Sequence, residues 1–269
     1  PGISSAASDV YKRQALVSAL REQAGKLWHC SNLFKIKEQE VVAKKITDHS
    51  FAHSVFFCNS GAESVEAGIK AIRRYYFLKG SKRFKIICVN NAFHGRTFAT
   101  ISAAGQKKLL EGFKPHLKGF EHVEFNNLEA IEKKIDDETA GILLETVQGE
   151  GGITPAKKDY LKGLNGLAKK NDLLLFFDEV QCGVGRTGKF LAVEWVPSLK
   201  PNIVSIAKGI GGGFPLGALL LDKKTSAAMT KGSHGSTFGG NPLGMAVADV
   251  VLNHVLKDDF LDHVRDCLL

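Results

Sequence analysis

An apolar run, Leu173-Leu174-Leu175-Phe176-Phe177, closes on Asp178. A second, Asn202-Ile203-Val204-Ser205-Ile206-Ala207, closes on Lys208 and is followed by Gly209-Ile210-Gly211-Gly212-Gly213. Short apolar runs of this kind read as buried strands. They bring a carboxylate and an amine to the carboxyl edge of a sheet, where open α/β sheets bind ligands. An amine there can condense with an aldehyde once it has lost its proton, and burial beside an electrophile assists that loss. An acid there can hold a ring nitrogen protonated. These are a protein's two main contributions to pyridoxal phosphate chemistry. A lysine snorkelling from a strand end is the plainer reading, so the other motifs must be weighed.

Asn59-Ser60-Gly61-Ala62-Glu63 joins a strand to a helix. Small residues let backbone N–H groups approach a ligand, and a helix N-terminus favours an anion. The same residues also suit a capped helix start, with Ser60 as N-cap and Glu63 closing a capping box. Phe93-His94-Gly95-Arg96-Thr97 follows the next strand. Its aromatic ring can stack on a flat heterocycle and its arginine can grip a carboxylate, or the pair can be a core ring and a surface charge. Glu145-Thr146-Val147-Gln148-Gly149-Glu150 also follows a strand, and reads either as a polar turn or as carboxylates that orient a substrate. In His234-Gly235-Ser236-Thr237-Phe238-Gly239-Gly240-Asn241-Pro242, Asn-Pro suits a helix start and Thr237 can donate a hydroxyl to a phosphate.

The sequence around Asp178 imitates nucleotide motifs. The apolar run before Asp178-Glu179 resembles a Walker B segment. Gly183-Val184-Gly185-Arg186-Thr187-Gly188-Lys189-Phe190 fits G-x-G-x-x-G, and fits a P-loop except that Phe190 replaces the magnesium-binding Ser or Thr. Either motif should sit directly between a strand and a long helix. Here Asp178 to Cys182 intervene, and the stretch from Lys189 to Pro197 is a poor helix. A P-loop-like nucleotide-binding module is therefore the disfavoured alternative.

The elements that must position these residues alternate. Strands are predicted at Ser54–Cys58, Lys85–Val89, Ala140–Leu144, Leu173–Phe177, Asn202–Ala207 and Leu216–Leu221. Helices are predicted at Glu63–Lys79, Leu128–Ile135, Asp159–Lys170 and about Asn241–Leu256. Val65, Ile69, Ile72 and Tyr76 give the first helix its buried stripe. Strands alternating with helices imply a mainly parallel, helix-covered sheet in one large α/β domain.

The 269 residues suffice for a full core, and 44% hydrophobic with 24% charged residues is ordinary for a soluble globular chain. No apolar run approaches the roughly 20 residues that span a bilayer. The net charge of +8 comes from scattered lysines, without the Arg-rich helix or stacking platform of a nucleic-acid binder. Five cysteines without paired spacing point to reduced thiols and a cytoplasmic setting. The nine histidines form no metal-ligand cluster. Asp9-Val10-Tyr11-Lys12-Arg13-Gln14 resembles a translated sequencing adapter. Residues 1–14 are accordingly expected to be an assembly scar, and the uncapped C-terminus suggests a fragment at both ends.

In this order, NSGAE, FHGRT, E-x-V-QGEGG, FFDEVQ-x-G-x-GRTG, AKG-x-GGGFPLGA and HGSTFGGNP resemble the class III, ornithine-type aminotransferases. The similarity runs from about Ala15 to the end. It implies the fold type I large domain, pyridoxal 5′-phosphate as cofactor, and a homodimer with active sites at the subunit interface. It implies Lys208 as the Schiff-base lysine that shuttles the substrate proton, and Asp178 as the partner of the pyridine nitrogen. Gln181 would bond the ring hydroxyl, Phe93 would stack on the ring, and His94 would join the cofactor contacts. Ser60, Gly61 and Ala62 would cradle the phosphate, and Thr237 would reach the phosphate of the other subunit. Arg96 would bind a substrate carboxylate, and Glu145 would gate substrate access between half-reactions.

Leu27–Phe34 resembles the branch acting on N2-acetylornithine, with Trp28, Ser31 and Asn32, and also Ser236, on the substrate side. The implied reaction moves the terminal amine of that donor to 2-oxoglutarate in arginine biosynthesis. Ornithine, succinylornithine and 4-aminobutyrate are the alternative donors, while Arg96 argues against the glutamate-semialdehyde mutase branch. Thr146, where many members carry Pro, is expected to loosen a turn. The resemblance divides the chain into the scar (1–14), a substrate-side N-terminal segment (15–50), the cofactor-binding large domain (51–257) and the start of a truncated small domain (258–269). It also implies that this polypeptide alone is weakly active or inactive.

Overall fold

The computed structural model describes residues 14–267. All of the expected scar except Gln14 lies outside them. Seven strands form the main sheet: β1 (Ser54–Cys58), β2 (Lys85–Val89), β3 (Phe120–Val123), β4 (Thr139–Glu145), β7 (Leu174–Asp178), β8 (Ile203–Ile206) and β9 (Gly217–Leu221). A two-stranded ribbon, β5 (Val147–Gln148) with β6 (Thr154–Pro155), lies apart. The longer helices are α1 (Gln14–Ala24), α2 (Lys37–Asp48), α3 (Gly61–Leu78), α7 (Lys158–Asn171), α9 (Pro242–Val255) and α10 (Asp258–Asp266). Shorter ones are α4 (Phe98–Ala103), α5 (Lys107–Leu110), α6 (Leu128–Lys134) and α8 (Lys223–Ser226).

The sheet order is β1-β9-β8-β7-β4-β2-β3. Pairing is parallel from β8 through β3, and β9 runs antiparallel to both β8 and β1. Parallel neighbours need a covering crossover. Residues 207–216 between β8 and β9 contain only a 3₁₀ turn, so β9 returns antiparallel. The six other strands all point the same way, and the carboxyl ends of β1, β2, β4, β7 and β8 share one edge.

Strand β7 shows why the expected six-strand pattern is legible. Leu174 and Phe176 join the core under α3, while Leu175 and Phe177 join the core on the opposite face. A strand covered on both sides is continuously apolar. β3 is not among the expected strands, because Phe120-Glu121-His122-Val123 is an edge strand with one buried residue. Helix α3 crosses one face, touching β1, β9, β8, β7 and β4, and buries Val65, Ile69, Ile72 and Tyr76 as the spacing predicts. Its close approach requires Gly68, where a Cβ would fall 2.4 Å from the Phe176 ring. On the other face, α1 and α2 pack on α9, and Leu16, Val42 and Ile46 enter the same core as Phe177.

All five cysteines are unpaired. Among the described residues, no helix is long and apolar enough to cross a membrane, and no group of three or more His, Cys, Asp or Glu could hold a metal ion.

Candidate active site

A cavity of about 380 Å³ opens at the shared strand edge. It is lined by Ser60, Gly61 and Ala62 after β1, Phe93 and His94 after β2, and Glu145 ending β4. Asp178 and Gln181 come from the end of β7, and Lys208 from the end of β8. Strands that share direction and register place these residues together although more than a hundred positions separate Ser60 from Lys208.

Asp178 is buried, and its Oδ2 accepts a hydrogen bond from His94 Nδ1 at 2.7 Å. Its Oδ1 accepts from Val180 N at 3.0 Å. Burial opposes a charge on His94, but the hydrogen bond to Asp178 and the charges of Asp178 and Glu145 outweigh it, so the imidazole pKa is raised. His94 Nε2 is buried without a partner in the protein. Glu145 is also buried. Phe93 N donates to its Oε2 at 3.1 Å and Gly149 N to its Oε1 at 3.3 Å. Burial and the Asp178 charge push its carboxyl up to about 7, against the opposing effects of His94 and the two N–H bonds.

Ser60 caps α3, accepting from Glu63 N at 3.2 Å. The expected reciprocal bond closes one residue earlier, since Glu63 Oε2 accepts from Asn59 N at 3.0 Å. The turn is pressed against the β7 loop, where a Cβ on Gly61 would lie 2.7 Å from Val180 Cγ1. Gly61 and Ala62, which open this 18-residue helix, line the cavity, and N–H groups in a first helical turn lack partners within the helix. Gly149 makes room for Gln181, since its Cβ would come within 1.9 Å of Gln181 Oε1. Lys208 is half-buried and adopts φ +47°, a left-handed conformation that is uncommon outside glycine.

Other expected residues lie outside this lining. Arg96 is exposed, with its guanidinium carbon 5.9 Å from the centre of the Phe93 ring. Ser31, Asn32 and Ser236 line a separate groove of about 560 Å³. Asn32 Nδ2 donates to Ser236 O at 2.9 Å, and Asn59 Nδ2 donates to Ser236 Oγ at 3.1 Å, which ties that groove to the α3 turn. Thr237 is exposed and lines neither. Gly95, Val180 and the Phe214-Pro215 wall also line the cavity, although the motifs do not single them out. The wall has a signal in the sequence, because the glycine run after Lys208 lets the chain turn back over the site.

Glu179 resembles half of a Walker-like pair in the sequence, but its role is structural. It is fully buried, accepting from Ala192 N at 2.6 Å, Val193 N at 2.7 Å and Thr146 Oγ1 at 3.2 Å. Thr146 therefore ties its turn to β7 rather than loosening it. The glycine-rich decoy leads into a 3₁₀ turn, Ala192–Trp195, and lacks the long helix of a nucleotide loop.

Burial also pushes the Glu179 carboxyl up to about 7. The folded protein then holds protons on Glu145 and Glu179 that the unfolded chain releases near 4.5. Stability is expected to fall as pH rises from about 4.5 to about 7, because the native state binds more protons in that window. His94, with its raised pKa, acts in the same direction. Urea midpoints should be lower at about pH 8 than at about pH 5, and E179Q should show a smaller difference. An unchanged difference in E179Q would exclude Glu179 as a source.

A mainly parallel sheet covered on both faces, with an amine, a carboxylate and a helix N-terminus at one strand edge, defines the large domain of a fold type I pyridoxal-phosphate-dependent transferase. The chain belongs to the class-III aminotransferases, whose family model matches residues 2–268. It is 55% identical over 93% of its length to the acetylornithine aminotransferase of Mesorhizobium japonicum, and spans 63% of that protein. Its structure is similar to ornithine aminotransferase from Toxoplasma gondii, with a TM-score of 0.90 at 31% identity. That alignment covers 97% of this chain and 62% of the other, which was crystallised with partial PLP occupancy at its active site. N-acetylornithine aminotransferase from Stenotrophomonas maltophilia aligns with a TM-score of 0.77 at 37% identity, over 93% of this chain and 61% of its own.

Proposed function

We propose that the chain forms the cofactor-binding part of a cytoplasmic, homodimeric aminotransferase that moves the terminal amine of N2-acetylornithine to 2-oxoglutarate. The observation that carries this reading is the convergence of Lys208, the Asp178–His94 pair and the α3 N-terminus on one cavity. The residues fit pyridoxal 5′-phosphate. The helix N-terminus beside Gly61 suits a phosphate dianion, and the buried Asp178 suits a protonated ring nitrogen. When bound, the cofactor supplies an electron sink for the carbon that carries the amine.

The chain's own residues do the rest. Lys208 Nζ would hold the cofactor through its aldehyde carbon, with loss of water, and once displaced by the substrate amine it would be the free base that takes and returns the substrate proton. Asp178 presents its charge to the ring nitrogen, and His94 holds that carboxylate in place. Phe93 supplies a ring wall, Gln181 meets the ring hydroxyl, and Ser60 to Ala62 bind the phosphate. Arg96, beside Phe93, holds a substrate carboxylate, and Glu145 controls access to it. Ser31, Asn32 and Ser236 form the substrate-side groove. Thr237, exposed and outside both cavities, would reach the phosphate of a second subunit. The unpaired cysteines suit a reducing compartment.

The choice of amine donor is supported by similarity to proteins named as acetylornithine aminotransferases. Because the chain spans about 63% of such relatives, the test belongs to the full-length protein. The expected result is a kcat/KM for N2-acetylornithine at least about tenfold above those for ornithine, succinylornithine and 4-aminobutyrate. Preference for another donor by that margin would replace the substrate assignment and leave the chemistry standing.

A further inference from the structure

The loop that imitates a nucleotide motif lies directly behind Lys208. Val184 in this loop is buried and adopts φ +54°, where a β-branched side chain is a true outlier. Such backbone conformations persist only where their surroundings over-determine them, and they cluster at functional sites. The surroundings here are specific. Gly183 N donates to Glu179 O at 2.9 Å, Gly185 N to Phe190 O at 3.2 Å, and Gly188 N to Gly185 O at 3.0 Å. The Glu179 carboxyl then fastens the far end of the loop through Ala192 N and Val193 N.

The strained valine meets the segment that carries the amine. A Cβ placed on Gly209 would lie 3.3 Å from Val184 Cβ and 3.6 Å from its Cγ1. Gly209 follows Lys208, which itself holds φ +47°. Two non-glycine residues in left-handed conformations are thus stacked through one glycine, one of them at the reactive lysine. Little space therefore separates the Val184 isopropyl group from the residue after Lys208.

We propose that Val184 is a positioning residue for Lys208, acting through Gly209 on a loop that buried Glu179 anchors. This rests on Lys208 being the residue that bonds the cofactor aldehyde. Val184 touches no substrate, and its effect is on where the lysine amine points. A misplacement of about 1 Å at a reacting atom can cost on the order of 100-fold in rate, so removal of the side chain should be felt at Lys208.

Glycine at position 184 keeps the backbone conformation without strain but removes the support. In V184G, pyridoxal 5′-phosphate should still enter the cavity. Formation of the visible absorption band should slow by on the order of 10- to 100-fold, and the borohydride-fixed label on Lys208 should fall in proportion. The pH midpoint of the band should shift, while the urea midpoint of the cofactor-free protein stays near wild type. V184I keeps the β-branched body, and its extra methyl can enter the cavity of about 370 Å³ that Val184 borders. It should restore the band. Wild-type labelling rate and pH midpoint in folded V184G would overturn the proposal. If V184G does not fold, V184A takes its place, and failure of both to fold would make Val184 a folding determinant and equally overturn it. Persistence of the band in K208A would instead overturn the underlying assignment of Lys208.

Discussion

K208A is expected to lose the visible absorption band that pyridoxal 5′-phosphate gives with the wild-type protein, together with the label that borohydride fixes at residue 208. Turnover in the full-length protein should fall by at least about 10²- to 10⁴-fold, the range carried by one positioned acid–base group. No neighbour replaces the amine. Among the residues lining the cavity, Lys208 is the single lysine. The fold should survive, because β8 ends at Ile206 and Lys208, beyond it, is only half-buried. Alanine leaves the left-handed backbone as demanding as lysine does. Absorbance and peptide mapping after borohydride treatment check the first outcome, and steady-state kinetics the second. A surviving band with label elsewhere would move the reactive amine to another residue.

D178N removes a charge and keeps the shape. An opposite charge at close range shifts a pKa by about 1–3 units, and each unit is worth about 1.4 kcal/mol. Loss of that effect at the cofactor nitrogen should lower turnover by about 10- to 10³-fold. The substitution also acts on two neighbours in ways that require no cofactor. The His94 pKa is raised because Asp178 and Glu145 outweigh its burial. With Asp178 neutral, burial prevails and His94 should titrate lower. The Asp178 charge helps to raise the Glu145 carboxyl, so Glu145 should titrate lower too. NMR titration of His94 distinguishes this from a general loss of structure, which would move every histidine toward its unperturbed value. Unchanged turnover with an unchanged His94 would remove Asp178 from the electrostatics of the site.

Lys208 and Asp178 are legible in the sequence because each ends a continuous apolar run. A strand buried on both faces must be apolar throughout, so the first charged residue marks its end. The same logic exposes Glu145 after Ala140–Leu144, and the Ser60 turn through its cap. The Asp178–His94 contact is not legible, since 84 positions separate the partners and no local period links them. Glu179 misleads for a related reason. Its partners Ala192, Val193 and Thr146 lie on other segments, and adjacency to Asp178 suggests a shared role where the two side chains have opposite ones. Asp178 faces the cavity and Glu179 faces the protein.

The sequence by itself determined the alternating strands and helices, the apolar runs, the residues at their ends, and the family those residues mark. Those features follow from local rules of period, capping and burial, which act over a few positions. Only the tertiary structure decided that the β8–β9 connection turns back antiparallel, that His94 orients Asp178, and that Arg96, Ser31, Asn32, Ser236 and Thr237 stand outside the cavity. It also set Val184 of the glycine-rich loop against Gly209, the residue after Lys208. Each of these depends on which distant segments share a wall, and that is settled by packing the whole sheet and its helices at once.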